Sequence, residues 1–357
     1  MIRSVKALST ALIVSAAFMT STVLAQSTSA FAPSNPFYAT STLPFHAPPF
    51  DKIKDSDYQP AIEAGMAQQL EEIRAIADNP APPTFENTLV AMEKTGALFR
   101  RATAAFDGVT GANTNPTLQK AEEALAPLIA AHSDAIYLNS RLFARVQAVY
   151  NQRESLKLDP ESQRLLEIVY QRFVHAGANL SDADKASLKK LNQEESTLSN
   201  SFKNKLLAAT RDAALTTPDK AALAGLSDAQ IASAAQAAKT RDQRGYVIPL
   251  QNTTQQPSLT SLSDRTTRQT LFDNSWTRAE RGGVNDTRAT IARLAQLRTE
   301  KAKLLGFPNY AAWKLENQMA KTPQAALKFM DDLVPPATAN AQSEAKEIQS
   351  VIDAQKA

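Results

Sequence analysis

From residue 57 onward the apolar side chains recur every three or four positions, a period that only helices satisfy. Between residues 57 and 78, Ile62, Met66, Leu70, Ile73 and Ala77 step by 4, 4, 3 and 4, one stripe of a single helix. Asn79-Pro80 ends it. Thr84 caps a second helix, with Phe85, Leu89, Met92, Phe99 and Phe106 on its apolar face. That helix is expected to run unbroken to about Phe106 and to end before Gly108 and Gly111. Gly96 and Thr103 mark where a neighbour approaches. Asn115-Pro116, Asp159-Pro160 and Ser181 start further helices, each a capping residue with Pro or an acidic residue just inside. A short helix follows Ser227, others start at Ser258 and near 285, and the last starts at Thr322-Pro323 and meets Pro335-Pro336. With 10 Gly in 357 residues and 6% aromatics, the composition also opposes a sandwich or barrel. Residues 245–250 carry the one strand signal. The expected fold class is mainly α, with a short β element near 245–252.

The first 25 residues read differently. Arg3 and Lys6 precede an apolar stretch from Ala7 to Ala25, and Val23-Leu24-Ala25 has the small and apolar residues of a cleavage site. We read residues 1–25 as a signal peptide, so the expected location is periplasmic or secreted. Losing Arg3 and Lys6 takes the net charge from +3 to +1. So small a charge gives no footing for nucleic acid, and no later stretch is apolar enough to enter a membrane. Residues 26–56 hold five Pro and five aromatics between Phe31 and Phe50, which suits an extended segment lying across a folded body. A helical domain is expected over 57–240, and a strand with further helices over 241–357.

Chemistry is scarce. The absence of Cys excludes disulfides, thiol catalysis and Cys-bound zinc or iron–sulfur sites. His46, His132 and His175 are far apart, so no pair projects two imidazoles from one helix face toward an ion. No catalytic and no metal-ligating residue is assigned. The pairs Glu122/Glu123, Glu194/Glu195 and Asp331/Asp332 diverge by about 100° on a helix and read as surface charge. Lys189, Lys190, Glu194, Lys203 and Lys205 read as a solvated face. Arg241, Arg244, Tyr246, Gln251 and Asn252 flank the strand. An exposed strand can pair with an extended peptide, so Arg244, Tyr246 and Asn252 are candidate peptide-binding residues. The alternative is a small structural hairpin.

Six phrases occur in an order that resembles a known family. They are Asn35-Pro36-Phe37 with Leu43-Pro44-Phe45, Pro48-Pro49-Phe50-Asp51-Lys52-Ile53, Tyr58-Gln59-Pro60-Ala61, Pro82-Pro83-Thr84-Phe85-Glu86-Asn87-Thr88, Arg244-Gly245-Tyr246-Val247-Ile248-Pro249-Leu250 and Leu305-Gly306-Phe307-Pro308-Asn309-Tyr310-Ala311. Together they resemble the N-terminal half of the thimet oligopeptidase and bacterial dipeptidyl carboxypeptidase family of zinc metallopeptidases. The resemblance implies a helical lobe of a two-lobed channel peptidase that releases C-terminal dipeptides from short peptides. In that family zinc polarises the scissile carbonyl and a Glu activates water. The family's His-Glu-x-x-His helix belongs to its second half and has no counterpart in this sequence. The chain is therefore expected to be truncated before the zinc site, to bind no zinc and to be inactive alone. Its expected partners are short peptides and a complementary chain carrying the zinc half. A non-catalytic periplasmic peptide-binding protein and a partly folded relic are the alternatives.

Overall fold

The computed structural model describes residues 31–356. The signal-peptide reading of 1–25 lies outside these residues. Within them the protein is mainly α, with a single two-stranded sheet.

Residues 31–54 run without regular structure except for a turn at Pro44–His46. Phe37 is buried, its ring 5.6 Å from Tyr58, which in turn lies 5.3 Å from Phe106. The Asn35 amide donates to the Asp57 carbonyl and Arg101 donates to the Phe37 carbonyl. Tyr38, Phe45 and Phe50 remain exposed.

Helix α1 (Asp55–Ala77) is the spine of the N-terminal part. One of its sides joins Phe106, Leu118 and Leu125 in one apolar cluster. Ile73 and Ile76 join Leu89, Leu142, Val146, Leu166 and Phe173 in another. The helix expected from Thr84 to Phe106 is in fact interrupted. A wide turn at Phe85–Val90 runs into α2 (Ala91–Glu93), and α3 (Ala97–Ala112) begins anew after Gly96. Gly96 has φ of 69°, a left-handed conformation that side chains resist, and its N–H donates to Glu72 on α1 at 2.7 Å. The spacing of apolar residues spans the break because both pieces pack against α1. Helix α3 then passes through Gly108 and Gly111. The close approach between helices falls at Gly65, where an added Cβ would lie 2.6 Å from the Phe99 backbone nitrogen.

Helix α4 (Pro116–Tyr137) and α5 (Ser140–Asn151) are separated at Asn139, whose side chain accepts from the N–H groups of Arg141 and Leu142. Helix α6 (Pro160–Ala176) ends at Gly177, and α7 (Asp182–Asp212) is capped by Ser181. Helix α7 packs against α4 on one side and, on the other, α11 (Arg288–Leu304). Of its side chains only Lys185, Leu188 and Ala209 are fully buried. Strand β1 (Leu215–Thr217) leads to α8 (Asp228–Lys239), and β2 (Tyr246–Ile248) returns antiparallel to β1, with Thr216 opposite Val247. Helices α9 (Gln255–Ser261), α10 (Arg265–Trp276), α11 (Arg288–Leu304) and α12 (Tyr310–Leu315) follow. The last, α13 (Pro323–Lys356), passes through Pro335-Pro336 and is exposed from Leu327 onward.

The solvated reading of the α7 charges holds for Lys189, Lys190 and Lys203, which are exposed, but not for Glu194 and Lys205, which are half-buried. Glu194 receives two bonds from Arg293, at 2.7 and 2.9 Å. Glu195 lies between Arg298 and Lys301, at 3.0 and 3.2 Å. Lys203 meets Glu122 at 2.6 Å, and Lys205 donates to Thr290. Helical periodicity marks a polar face; it does not say whether a second polar helix covers it.

Candidate functional site

The strand region is built around Gly245. Its φ is 86°, and a Cβ there would stand 2.4 Å from the Thr217 carbonyl oxygen, so the chain enters β2 only through glycine. Tyr246 is half-buried against a cluster that includes Leu215, Leu223, Ile248 and Leu271. Arg244 and Asn252 are exposed at opposite ends of the strand. Arg241 turns away to donate to the Arg211 carbonyl on α7. Beside β2 lies a cavity of about 350 Å³, lined by Gln230, Ser233 and Ala237 of α8, by Val247, Ile248 and Pro249, and by Thr254. Arg244, Tyr246 and Asn252 are not among its lining residues. β1 occupies one edge of β2, and among the described residues no third strand takes the other.

A second, more polar cavity of about 440 Å³ opens between α4, α6, α7, α11 and α12. Asp134 of α4, buried to 8% exposure, accepts from the Asn192 amide of α7 at 2.7 Å. Burial raises the Asp134 carboxyl above its ordinary range, opposed by the Asn192 hydrogen bond and by the charges of Lys301 and Lys189. Burial acts the same way on Glu195 but loses. Lys301 and Arg298 hold that carboxyl below the usual range. Arg172 of α6 lines the same space and is exposed. His175 and Trp313 close one side, with rings stacked 4.5 Å apart. Their backbones lock the pair: the His175 imidazole Nε2 lies 2.8 Å from the Trp313 carbonyl, and the Trp313 indole donates to the His175 carbonyl. Sequence reasoning missed this cavity, since five separate helices contribute to it.

His132 does carry a signal in the sequence: it interrupts the stripe of Leu118, Ala121, Leu125 and Ile136 on α4. It is buried, with Nε2 2.8 Å from the Gln69 side-chain oxygen, and burial lowers its pKa, so the ring is held neutral. Its Nδ1 is buried without a partner. His46 sits on an exposed turn and bonds the Ser41 carbonyl.

Residues 258–357 match the model of peptidase family M3. The chain is 53% identical over 323 residues to dipeptidyl carboxypeptidase of Salmonella typhimurium, an alignment that takes in 90% of this chain and 48% of that protein. The Escherichia coli dipeptidyl carboxypeptidase is 51% identical over 90% of this chain and 47% of its own. Oligopeptidase A of Escherichia coli is 25% identical over 87% of this chain. The chain is similar to M3 peptidases. The chain spans about half the length of the curated relatives it matches.

M3 peptidases are generally zinc-dependent. The residues described here do not fit that ion. Among them no three His, Asp or Glu side chains converge as a metal-holding group. His46, His132 and His175 are on separate elements, and each already has a hydrogen-bond partner. No helix of the described residues is long and apolar enough to cross a membrane.

Proposed function

We propose that this polypeptide is the N-terminal, peptide-holding lobe of an exported dipeptidyl carboxypeptidase-type metallopeptidase. The observation that carries the reading is identity of 51–53% across 90% of the chain to two dipeptidyl carboxypeptidases about twice as long. Its substrates are short peptides, and the reaction it serves is release of C-terminal dipeptides. The zinc and the groups that activate water belong to sequence matching the other half of those relatives, on this polypeptide's continuation or on a complementary chain. Residues 31–356 then bind peptides and do not hydrolyse them. In a strand-pairing reading, a peptide adds beside β2 on the side away from β1, displacing the packing of α8 there, and Arg244, Tyr246 and Asn252, which lie outside the neighbouring cavity, set its register.

The test is peptide hydrolysis by the purified chain with added zinc, followed by chromatography of the products. Chelator-sensitive release of C-terminal dipeptides by this chain alone refutes the inactive lobe. Recovery of that activity on adding the C-terminal half of a dipeptidyl carboxypeptidase supports it. Export is tested separately, by fractionating cells and sequencing the N-terminus. A cytoplasmic protein that retains Met1 contradicts the signal-peptide reading.

A further inference from the structure

The cavity between α4, α6, α7, α11 and α12 is lined by one acidic and one basic side chain, Asp134 and Arg172, that form no ion pair among the described residues. Two of its ionic groups answer each other, since Glu195 and Lys301 meet at 3.2 Å. Asp134 has no cationic partner at ion-pair distance and accepts only the neutral Asn192 amide. Arg172 has no ion-pair or hydrogen-bond partner among the described residues. One buried carboxylate on α4 is therefore unanswered, and one solvent-exposed guanidinium stands on α6, a helix that packs against α4. Burial of a carboxylate without a cation costs stability. The Asn192 side-chain oxygen is also buried with no donor, which adds a second unmet polar atom at the same place.

We infer that this cavity is a binding site for a short peptide with both termini free. The ligand's ammonium meets Asp134, which lines the cavity. Its carboxylate meets Arg172, whose planar fork suits a carboxylate. Trp313, Tyr137 and Leu305 offer apolar surface to side chains. The volume of about 440 Å³ falls in the small-molecule range of about 300–1,000 Å³, which favours a dipeptide over a longer chain. The choice of a dipeptide rests on the peptidase reading above. The charges of Asp134 and Arg172 are independent of it.

The experiment is calorimetric titration of the purified protein with alanyl-phenylalanine, its N-acetyl derivative, its C-terminal amide and free phenylalanine. The free dipeptide is expected to bind at one site, and capping either end is expected to weaken it about tenfold or more, as for loss of a charged hydrogen bond. Asp134→Asn erases the preference for the free amine, and Arg172→Gln erases the preference for the free carboxylate. Arg172 is exposed, so its variant tests the idea even if the Asp134 variant folds poorly. Equal binding of capped and free dipeptides overturns the inference. So does no binding of the free dipeptide to protein with a normal melt, or binding of phenylalanine as tight as that of the dipeptide. A tetrapeptide that binds equally well to wild type and to both variants, but not to Tyr246→Ala, overturns the cavity site while leaving the peptide-holding lobe intact.

Discussion

Replacing Gly65 by alanine tests how closely α1 and α3 are packed. An alanine Cβ would stand 2.6 Å from the Phe99 nitrogen and 2.7 Å from its Cα, both backbone atoms that cannot rotate away. Ordinary carbon contacts lie near 3.5–4.0 Å, so the two helices must part by about 1 Å, enough to forfeit a quarter to a half of each contact along the seam. That seam includes Ala61, Ile62, Ala102 and Phe106, all between 0% and 3% exposed. Overpacking of this kind costs about 3 kcal/mol at the upper end of its range. Alanine is better than glycine in a helix by about 1 kcal/mol, so the expected net loss is about 2 kcal/mol. Gly108, on α3, is the internal control. A Cβ there meets nothing within 4 Å, so Gly108→Ala keeps only the propensity gain of about 1 kcal/mol. The assay is urea denaturation followed by circular dichroism, with midpoints compared at equal slope. The two variants should move in opposite directions. A Gly65→Ala protein as stable as wild type would refute the close packing.

Three further expectations follow from the polar contacts. Arg145 is buried and donates to the Asn79 and Ala81 carbonyls and to the Asn87 side chain, so Arg145→Met should cost about 2 kcal/mol and speed proteolysis near residues 79–83; unchanged digestion would count against it. Glu195 titrates below its ordinary value of 4.5 in the folded protein, so its contribution is present above that pH and is lost as pH falls through the folded value. Glu195→Gln should therefore be destabilised by about 1–3 kcal/mol at pH 7, with the gap to wild type closing in acid, as read from melting curves against pH. Asp134 titrates above its ordinary value of 3.8, so the folded form holds its proton longer and stability falls as pH rises through the folded value. Asp134→Asn should melt higher than wild type at pH 7 and equally at pH 3; a variant that melts lower at pH 7 would show that the carboxylate stabilises the fold.

Much of the helical train could be read from the chain. The caps at Asn115, Asp159, Ser181 and Ser227 are each a short side chain bonding N–H groups two or three residues on, a purely local interaction. The stripe on α1 was legible for the same reason. The break at Gly96 was not, because its left-handed turn is held by Gln69 and Glu72 of another helix. β1 escaped notice because Leu215-Thr216-Thr217 is three residues long and is a strand only beside β2. The candidate residues Arg244, Tyr246 and Asn252 were chosen for flanking a strand. The structure adds a cavity next to that strand, lined by residues of α8 that no spacing in the sequence connects to it.

The chain by itself determined that it would be helical, where most helices begin, that it holds too few and too scattered imidazoles for a helical zinc pair, and which family it resembles. Those properties depend on residues within a few positions of one another, or on simple counts. Tertiary structure alone decided which charges on α7 are answered, that Asp134 is buried beside Asn192, and that Arg172 opens into the same space. Burial and ion pairing depend on what stands opposite a side chain. For α7 that is α4 on one side and α11 on the other, brought there by packing across as many as 106 positions between Glu195 and Lys301.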